Sequence, residues 1–113
     1  MAPIYHITSR AEIEEASKVG HYLPKNFDQD TFIHCSYPHQ ISTVANFLFR
    51  GRDDLVLLKI DRERLSCEVI DENLEGGPEK FPHIYGPLPL DAVSEVLKFP
   101  PREDGTFQFP EKI

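Results

Sequence analysis

The stretch LVLLKID at residues 55–61 sets the layout that we expect for the whole chain. It is apolar at nearly every position and shows no alternation between apolar and polar residues. This pattern is typical of a strand that is buried on both faces. Such a strand needs a neighbour on each side and a covering layer on each face, so we predict that residues 55–61 form the centre of a sheet.

The first half of the chain is predicted to supply two helices and two short strands. A strand over residues 3–8 places Tyr5 and Ile7 on one face and Ile4, His6 and Thr8 on the other. The capping-box pattern SRAE at residues 9–12 begins a helix that is expected to run to about residue 19 and to stop at Gly20. A loop follows over residues 21–30.

A short strand over residues 31–35 leads into the second helix, for which Ser36 is the candidate N-cap. Later strands are predicted at residues 67–71 and 93–99, and Pro87 and Pro89 are expected to prevent regular strand pairing between them. Early helices followed by mostly later strands predict an α+β fold with two main helices and a small mixed, largely antiparallel sheet.

The length of 113 residues suits one compact domain, which we place at residues 1–99, followed by an extended C-terminal tail at 100–113 that Phe107 and Phe109 fix to the core. Apolar runs are far shorter than the roughly 18 residues that a membrane span needs, so we expect a soluble protein without membrane contact. The N-terminus lacks a signal-peptide pattern, which predicts a cytoplasmic location. In that reducing compartment, Cys35 and Cys67 are expected to be ordinary thiols.

The charge balance argues against one class of partner. Twelve basic and nineteen acidic residues give a net charge of −7, which opposes bulk binding to the phosphate backbone of nucleic acids. A local site can still bind a phosphate group through directed donors, so a nucleotide-like ligand stays open.

Reactive side chains are concentrated in the stretch TFIHCSYPHQ at residues 31–40. His34 lies where a strand runs into a helix N-terminus, whose free amides favour an anion. We interpret His34 as a catalytic candidate, with ligand-binding candidates at Ser36, Tyr37 and Gln40. A structural histidine bonded to the backbone, and a serine that only caps the helix, are the alternatives. Cys35 alternates away from His34, which argues against a nucleophilic role.

His6 and His83 repeat this placement on two other strands. Each has a hydroxyl residue two positions later, Thr8 and Tyr85, on the same strand face as its imidazole. We therefore predict that the catalytic residues are His6, His34 and His83, that Thr8 and Tyr85 bind ligand, and that His6 and His83 flank one ligand. Among the later carboxylates, Glu72 is the candidate acid.

Two alternatives remain for these histidines. The stretch FPHIYG at residues 81–86 could be a packed corner with a buried tyrosine. Three histidines could also bind zinc and support a metal-assisted enzyme, but the helical HxxxH spacing is missing and we expect no metal.

Four stretches carry a resemblance to a known family. IYHIT at residues 4–8, FIHCS at 32–36, LVLLKID at 55–61 and FPHIYGPLPLDAV at 81–93 resemble, in order and spacing, the family called domain of unknown function 952. Two positions depart from the family pattern: Ile13 stands where a tryptophan is expected, and Thr31 stands where a glycine usually precedes FIHCS.

The family is similar to the ADP-ribosyltransferase fold, whose members bind NAD in a cleft between two small sheets. The resemblance implies that His6 holds the nicotinamide ribose, that His34 or Tyr37 lies near nicotinamide, and that His83 stands where a late glutamate orients the reacting ribose. We therefore expect a small-molecule ligand, with NAD as the candidate, and a nucleotide-using transferase or hydrolase. The alternative is a non-catalytic binding module that uses the same cleft.

Overall fold

The computed structural model describes residues 3–24, 31–73 and 79–110. Two α-helices and eight strands occur in these residues. In chain order they are β1 Ile4–Ser9, α1 Arg10–Ser17, β2 His21–Tyr22, β3 Ile33–His34, α2 Pro38–Leu48, β4 Leu55–Ile60, β5 Val69–Glu72, β6 Phe81–Ile84, β7 Leu88–Pro89 and β8 Val93–Lys98.

The strands form three small sheets with the orders β1-β4-β8, β2-β7 and β3-β6-β5. Every strand pair in the described residues is antiparallel. The predicted α+β class with two main helices is confirmed. β4 lies between β1 and β8, as the apolar stretch at residues 55–61 predicted.

Both faces of β4 are buried, and each face belongs to a different hydrophobic cluster. Val56, Leu58 and Ile60 join a cluster that includes residues of β1, α1, β3 and β6. Leu55 and Leu57 join a second cluster with α2 and the C-terminal segment. Burying one such side chain stabilises the fold by about 1.5–3 kcal/mol, so β4 holds the two layers together.

β1 has the predicted division of its faces. Ile4 packs in the first cluster, whereas Tyr5 packs in the second with Ile7 against it. His6 and Thr8 lie on the same face of the strand as Ile4, but they are not part of the hydrophobic cluster that Ile4 joins. The strand therefore presents two polar side chains next to the buried layer.

The start of α1 matches only part of the predicted capping box. Ser9 Oγ accepts a hydrogen bond from the Glu12 amide at 3.1 Å, but the Glu12 carboxylate bonds to Thr8 and not to the Ser9 amide. The helix buries Ile13 and ends at Ser17, slightly before the predicted end. Gly20 has a φ of 90°, which suits its place after the helix.

The prediction that Ser36 caps α2 is wrong, because Tyr37 is the N-cap residue. The Ser36 main chain is already paired with Tyr5, through N–H to carbonyl bonds of 2.9 and 2.8 Å in the two directions. The helix then begins one residue later, where the Tyr37 amide donates to Gln40 Oε1 at 2.9 Å. The pairing of Ser36 with Tyr5 connects the sheet of β1 to the segment that follows β3.

The prediction that Pro87 and Pro89 prevent strand pairing is also wrong. Leu88 and Pro89 form β7, which pairs with His21 and Tyr22 in a segment predicted to be a loop. A two-residue strand requires few donors, and the next donor after the proline, the Leu90 amide, bonds to the Gly20 carbonyl at 3.1 Å. Residues 25–30 of the predicted loop lie outside the described residues.

The chain after β8 packs on α2. Phe107 stacks on Phe99 with ring centroids 4.9 Å apart, and its amide donates to Asn46 Oδ1 at 2.6 Å. The Phe109 amide donates to Ser42 Oγ at 3.0 Å. Residues 111–113 lie outside the described residues. In the described parts of the chain, no helix is both long enough and apolar enough to cross a membrane.

Candidate functional site

A cleft of about 1050 Å³ opens between α2 and the segments that carry β1, α1 and β3. The cleft has a polar end, and apolar side chains line much of the rest. The polar end is formed by His6, Thr8, Glu12, Tyr22, His34 and Ser36. The apolar wall and rim include Phe32, Val44, Phe47, Leu48, Phe49 and Phe81.

Glu72, His83 and His34 form a hydrogen-bonded relay that leads from behind the cleft to His34 at its polar end. Glu72 Oε1 lies 2.9 Å from His83 Nδ1, and His83 Nε2 lies 3.2 Å from His34 Nδ1. The register of the sheet makes these contacts, because β6 places His83 opposite Ile70 of β5 and opposite His34 of β3. The carboxylate and both imidazoles therefore come from three neighbouring strands.

The chemistry of the carboxylate fixes the protons in this relay. A carboxylate only accepts hydrogen bonds, so His83 carries a proton on Nδ1, and the neutral imidazole then offers a lone pair at Nε2. His34 must then donate from Nδ1, which leaves the lone pair of neutral His34 on Nε2. Tyr85 donates its hydroxyl to the same Glu72 oxygen. These two bonds lower the pKa of Glu72, with the tyrosine bond as the larger cause, and favour its ionised form.

Aromatic rings hold the two imidazoles of the relay in place. Phe32 stacks on His83 with centroids 4.0 Å apart and an interplanar angle of 15°. Phe81 lies 5.0 Å from the His34 ring. Phe32, Phe81 and His34 line the cleft, whereas His83 is only 1% exposed and lies behind them. His83 is thus a buried partner of His34 and not a wall residue.

A second chain of contacts starts at His6. Its Nδ1 lies 2.6 Å from the His34 carbonyl oxygen, and its Nε2 lies 2.9 Å from the Tyr22 hydroxyl. Tyr22 donates to Thr8 Oγ1 at 3.1 Å, and Thr8 donates to Glu12 Oε2 at 2.5 Å. Burial lowers the pKa of His6 to about 4. These four side chains form one continuous hydrogen-bonded network.

The structure separates the remaining predicted site residues from the cleft, apart from Ser36. The Tyr37 hydroxyl donates to Asp71 Oδ1 at 2.5 Å and accepts from Arg62. Gln40 stabilises the start of α2 and donates to the Lys80 carbonyl at 2.8 Å. Tyr85 touches the relay only through Glu72. Of the eight predicted site residues, the cleft is lined by His6, Thr8, His34 and Ser36.

Sequence reasoning missed two cleft residues, Glu12 and Tyr22. The capping-box pattern assigned the Glu12 carboxylate to the start of the helix. A contact with Thr8, four residues earlier, was therefore not predicted. Tyr22 lay in a predicted loop without a periodic pattern, so no local signal indicated that its hydroxyl would reach His6. Tyr22 reaches the polar end because β2 folds back beside α1, whereas Glu12 is in the first turn of α1, directly after β1.

Two other chemistries receive no support from the described residues. In ranges 3–24, 31–73 and 79–110, no group of three or more His, Cys, Asp or Glu side chains is arranged to hold a metal ion. Cys35 is fully buried, and this burial raises the pKa of its thiol, so its thiolate is disfavoured. Cys35 and Cys67 are both free thiols.

The ionised Glu72 predicts an acid-dependent contribution to stability. Because its pKa in the fold is lowered from 4.5, Glu72 contributes stability above pH 4.5 that is lost as the pH falls through the folded pKa. The Glu72→Gln variant is therefore expected to lose less stability than the native protein between neutral pH and about pH 3. Urea denaturation across this range measures the difference. Glu68→Gln, at a nearby exposed carboxylate, is the control, and equal acid sensitivity of native protein and Glu72→Gln would contradict the prediction.

Comparison with protein families matches residues 7–96 to the family described as Protein of unknown function (DUF952). The chain belongs to this family. A crystal structure of protein CC0527 from Caulobacter crescentus is 35% identical over 95% of this chain and 94% of that chain, with a TM-score of 0.85. Its solution NMR structure is 34% identical, covers 100% of this chain and 97% of that chain, and gives a TM-score of 0.86. No curated protein matches the chain.

At Thr31, one of the two positions that depart from the expected DUF952 pattern, the backbone conformation explains why a glycine is expected. Thr31 has a φ of 65°, in the left-handed region that glycine enters without strain and that side chains disfavour. The resemblance led us to expect a glycine at this position, and this backbone conformation gives a physical reason for that preference. Thr31 lies just before Phe32 and β3, at the entrance to the segment that carries His34.

Proposed function

We propose that this DUF952 protein is an enzyme that binds a nucleotide-like small molecule in the cleft and transfers or hydrolyses a group on it. NAD is the first candidate substrate. The observation that carries the proposal is the relay from Glu72 through His83 to His34, which ends at a cleft wall. A half-buried carboxylate and a buried imidazole that orient a second imidazole supply what a general base needs, a fixed tautomer and a fixed ring.

The form of the cleft supports a ligand with an aromatic part and a polar part. Phe32, Phe81 and the α2 wall offer surfaces for a base or nicotinamide ring, because aromatic rings stack favourably on one another. The half-buried Glu12 carboxylate at the polar end offers a hydrogen-bond acceptor to the hydroxyls of a ribose. A nucleoside combines these two parts in a molecule small enough for a cleft of about 1050 Å³.

NAD in particular is proposed from the resemblance to the ADP-ribosyltransferase fold that the sequence suggested, with altered residue roles. His6 is on the first strand and lines the cleft, as the ribose-holding histidine would. His83 occupies the chain position expected for a late glutamate, but it is buried behind His34 and we assign it a positioning role. The carboxylate in the cleft is Glu12 of α1.

Thermal unfolding in the presence of candidate ligands tests this function. NAD, ADP-ribose, other nucleotides and small phosphorylated metabolites are compared, and a true ligand at a hundredfold excess over its Kd stabilises the fold by ~2.7 kcal/mol. Incubation with NAD, followed by chromatography for released nicotinamide, tests the reaction.

Matched variants locate the binding. Val44→Asp places a carboxylate on the apolar wall of the cleft and is expected to abolish the ligand-induced shift. Val96→Asp makes the same change on an exposed position of β8 and should keep it. Nucleotide binding without turnover would identify a non-catalytic binding module. A shift by an unrelated metabolite, with none by any nucleotide, would exclude the nucleotide proposal.

A further inference from the structure

We infer that Glu12 is an additional acid–base residue of the cleft and shares one proton with His6 through the hydroxyls of Tyr22 and Thr8. The reaction that this proton would serve rests on the proposed function. The sharing itself is a property of the free protein and can be tested without a ligand.

Three contacts connect the two ends of this network. They measure 2.9 Å from His6 Nε2 to the Tyr22 hydroxyl, 3.1 Å from that hydroxyl to Thr8 Oγ1, and 2.5 Å from Thr8 Oγ1 to Glu12 Oε2. The other ring nitrogen of His6, Nδ1, faces the His34 carbonyl at 2.6 Å. A carbonyl only accepts, so Nδ1 carries a proton and only Nε2 can take part in the network.

Counting protons shows that the network needs one more than its hydroxyls provide. Each of the three contacts requires one proton to be a hydrogen bond. Tyr22 and Thr8 supply one proton each. The third must come from an end, either as Nε2–H of His6 or as the acid proton of Glu12. All three bonds therefore form only when neutral His6 and ionised Glu12 have together gained one proton.

Without the third proton, one buried contact becomes unfavourable. The hydroxyls of Tyr22 and Thr8 would then donate outward, to His6 and Glu12, and their oxygens would face each other at 3.1 Å with no proton between them. These two residues are only 3% and 4% exposed, so water cannot readily compensate. An unsatisfied buried group is costly, so the hydrogen bonding favours the state in which the network has gained its proton.

The two ends are suited to sharing the proton. Burial lowers the pKa of His6 to about 4, so its imidazole releases a proton readily. The Glu12 carboxylate lies three hydrogen-bond contacts away and can receive that proton. Other titratable groups act on this network from neighbouring segments. His34 lowers the pKa of His6, and Cys35 contributes to the raised pKa of Tyr22. Arg52 interacts with Glu12 while it is paired with Asp54.

The contacts permit a balanced transfer. With the shared proton on His6 Nε2, the Thr8 hydroxyl proton moves to Glu12 Oε2, the Tyr22 hydroxyl proton moves to Thr8, and the Nε2 proton moves to Tyr22. Both hydroxyls are restored, His6 is left neutral, and Glu12 holds the shared proton, which it then gives to a bound substrate. The reverse sequence returns a proton from Glu12 to His6. Glu12 can thus act as an acid or a base in the cleft by exchanging its proton with His6.

NMR titration of the ligand-free protein tests the shared proton. The Glu12 side-chain carboxyl carbon and the His6 ring nitrogens are followed from neutral to acid pH, and both are expected to change at the same upper midpoint. Thr8→Val removes the central hydroxyl with little change in shape. It is expected to lower that midpoint by about one pH unit or more and to leave each group with a separate single step.

Two variants make the test specific. Thr8→Ser keeps the hydroxyl and should retain the common midpoint, which separates the proton path from packing. Thr43→Val makes the same change as Thr8→Val at another cleft residue and should leave both curves unchanged. Independent titration of Glu12 and His6 in the native protein would overturn the inference, as would native-like curves in folded Thr8→Val. Neither outcome bears on whether the cleft binds a nucleotide.

Discussion

Phe107→Ala is expected to lower the free energy of unfolding by about 3–5 kcal/mol, the cost of removing a buried aromatic ring from a packed core. Phe107 is 1% exposed and belongs to the cluster on one face of β4. Its loss leaves a cavity beside Phe99 and removes a ring stack with centroids 4.9 Å apart. Chemical denaturation with native and variant protein measures the change.

Phe47→Ala is the matched control for this prediction. It removes the same ring from α2, but Phe47 is 86% exposed and its loss should change the unfolding free energy by less than about 0.5 kcal/mol. A loss below about 1 kcal/mol in Phe107→Ala would mean that residues 100–110 form a dispensable tail. The expected large loss would instead make this segment an integral part of the core.

His34→Asn is expected to reduce kcat/KM by about 10²–10⁴-fold for the substrate that the ligand comparison identifies, which is the usual contribution of a positioned acid or base. The asparagine amide can replace the Nδ1 donor of His34 toward His83, but it has no group equivalent to Nε2. The substitution therefore removes the proposed base while keeping the buried hydrogen bond, and the melting temperature should change little. Steady-state kinetics and thermal unfolding of the same preparation provide the two measurements.

Two further variants separate catalysis from general damage. Glu72→Gln weakens the relay from behind and should lower kcat more than it raises KM, because the residue orients His34 through His83 and does not touch the substrate. His39→Ala alters an exposed histidine bonded to Glu79, outside the cleft, and should have native kinetics. Native activity in a folded His34→Asn protein would exclude His34 as the base.

Local patterns in the sequence predicted the parts of the fold that local physics determines. The uninterrupted apolar stretch identified β4, and alternation in β1 placed His6 and Thr8 on one face. The two-residue pair of β2 and β7 was not predictable, because such short strands have no period and exist only through their partner. Ser36 failed as a cap for a similar reason: a strand distant in sequence had already engaged its main chain.

The candidate site follows the same division. His6 and His34 were identified as polar residues at strand positions that packing alone does not require. The contact between His34 and His83 depends on the register of β3 with β6, and the contact between His83 and Glu72 depends on β5. Strand register is set by the assembled sheet, so no local pattern could show that His83 supports His34 from behind. Tyr22 joined the site for the same reason.

The pairing of the strands also determines when the chain can fold. In the part of the chain that the structure describes, β1, β2 and β3 pair with β4, β7 and β6, all of which begin after residue 54. A nascent chain that has emerged from the ribosome only to residue 54 therefore carries three strands whose partners have not yet been synthesised. Domains dominated by such distant pairings fold in about milliseconds to seconds. Folding during translation must wait for the C-terminal strands, and until then β1, β2 and β3 stay accessible to chaperones that bind exposed apolar segments.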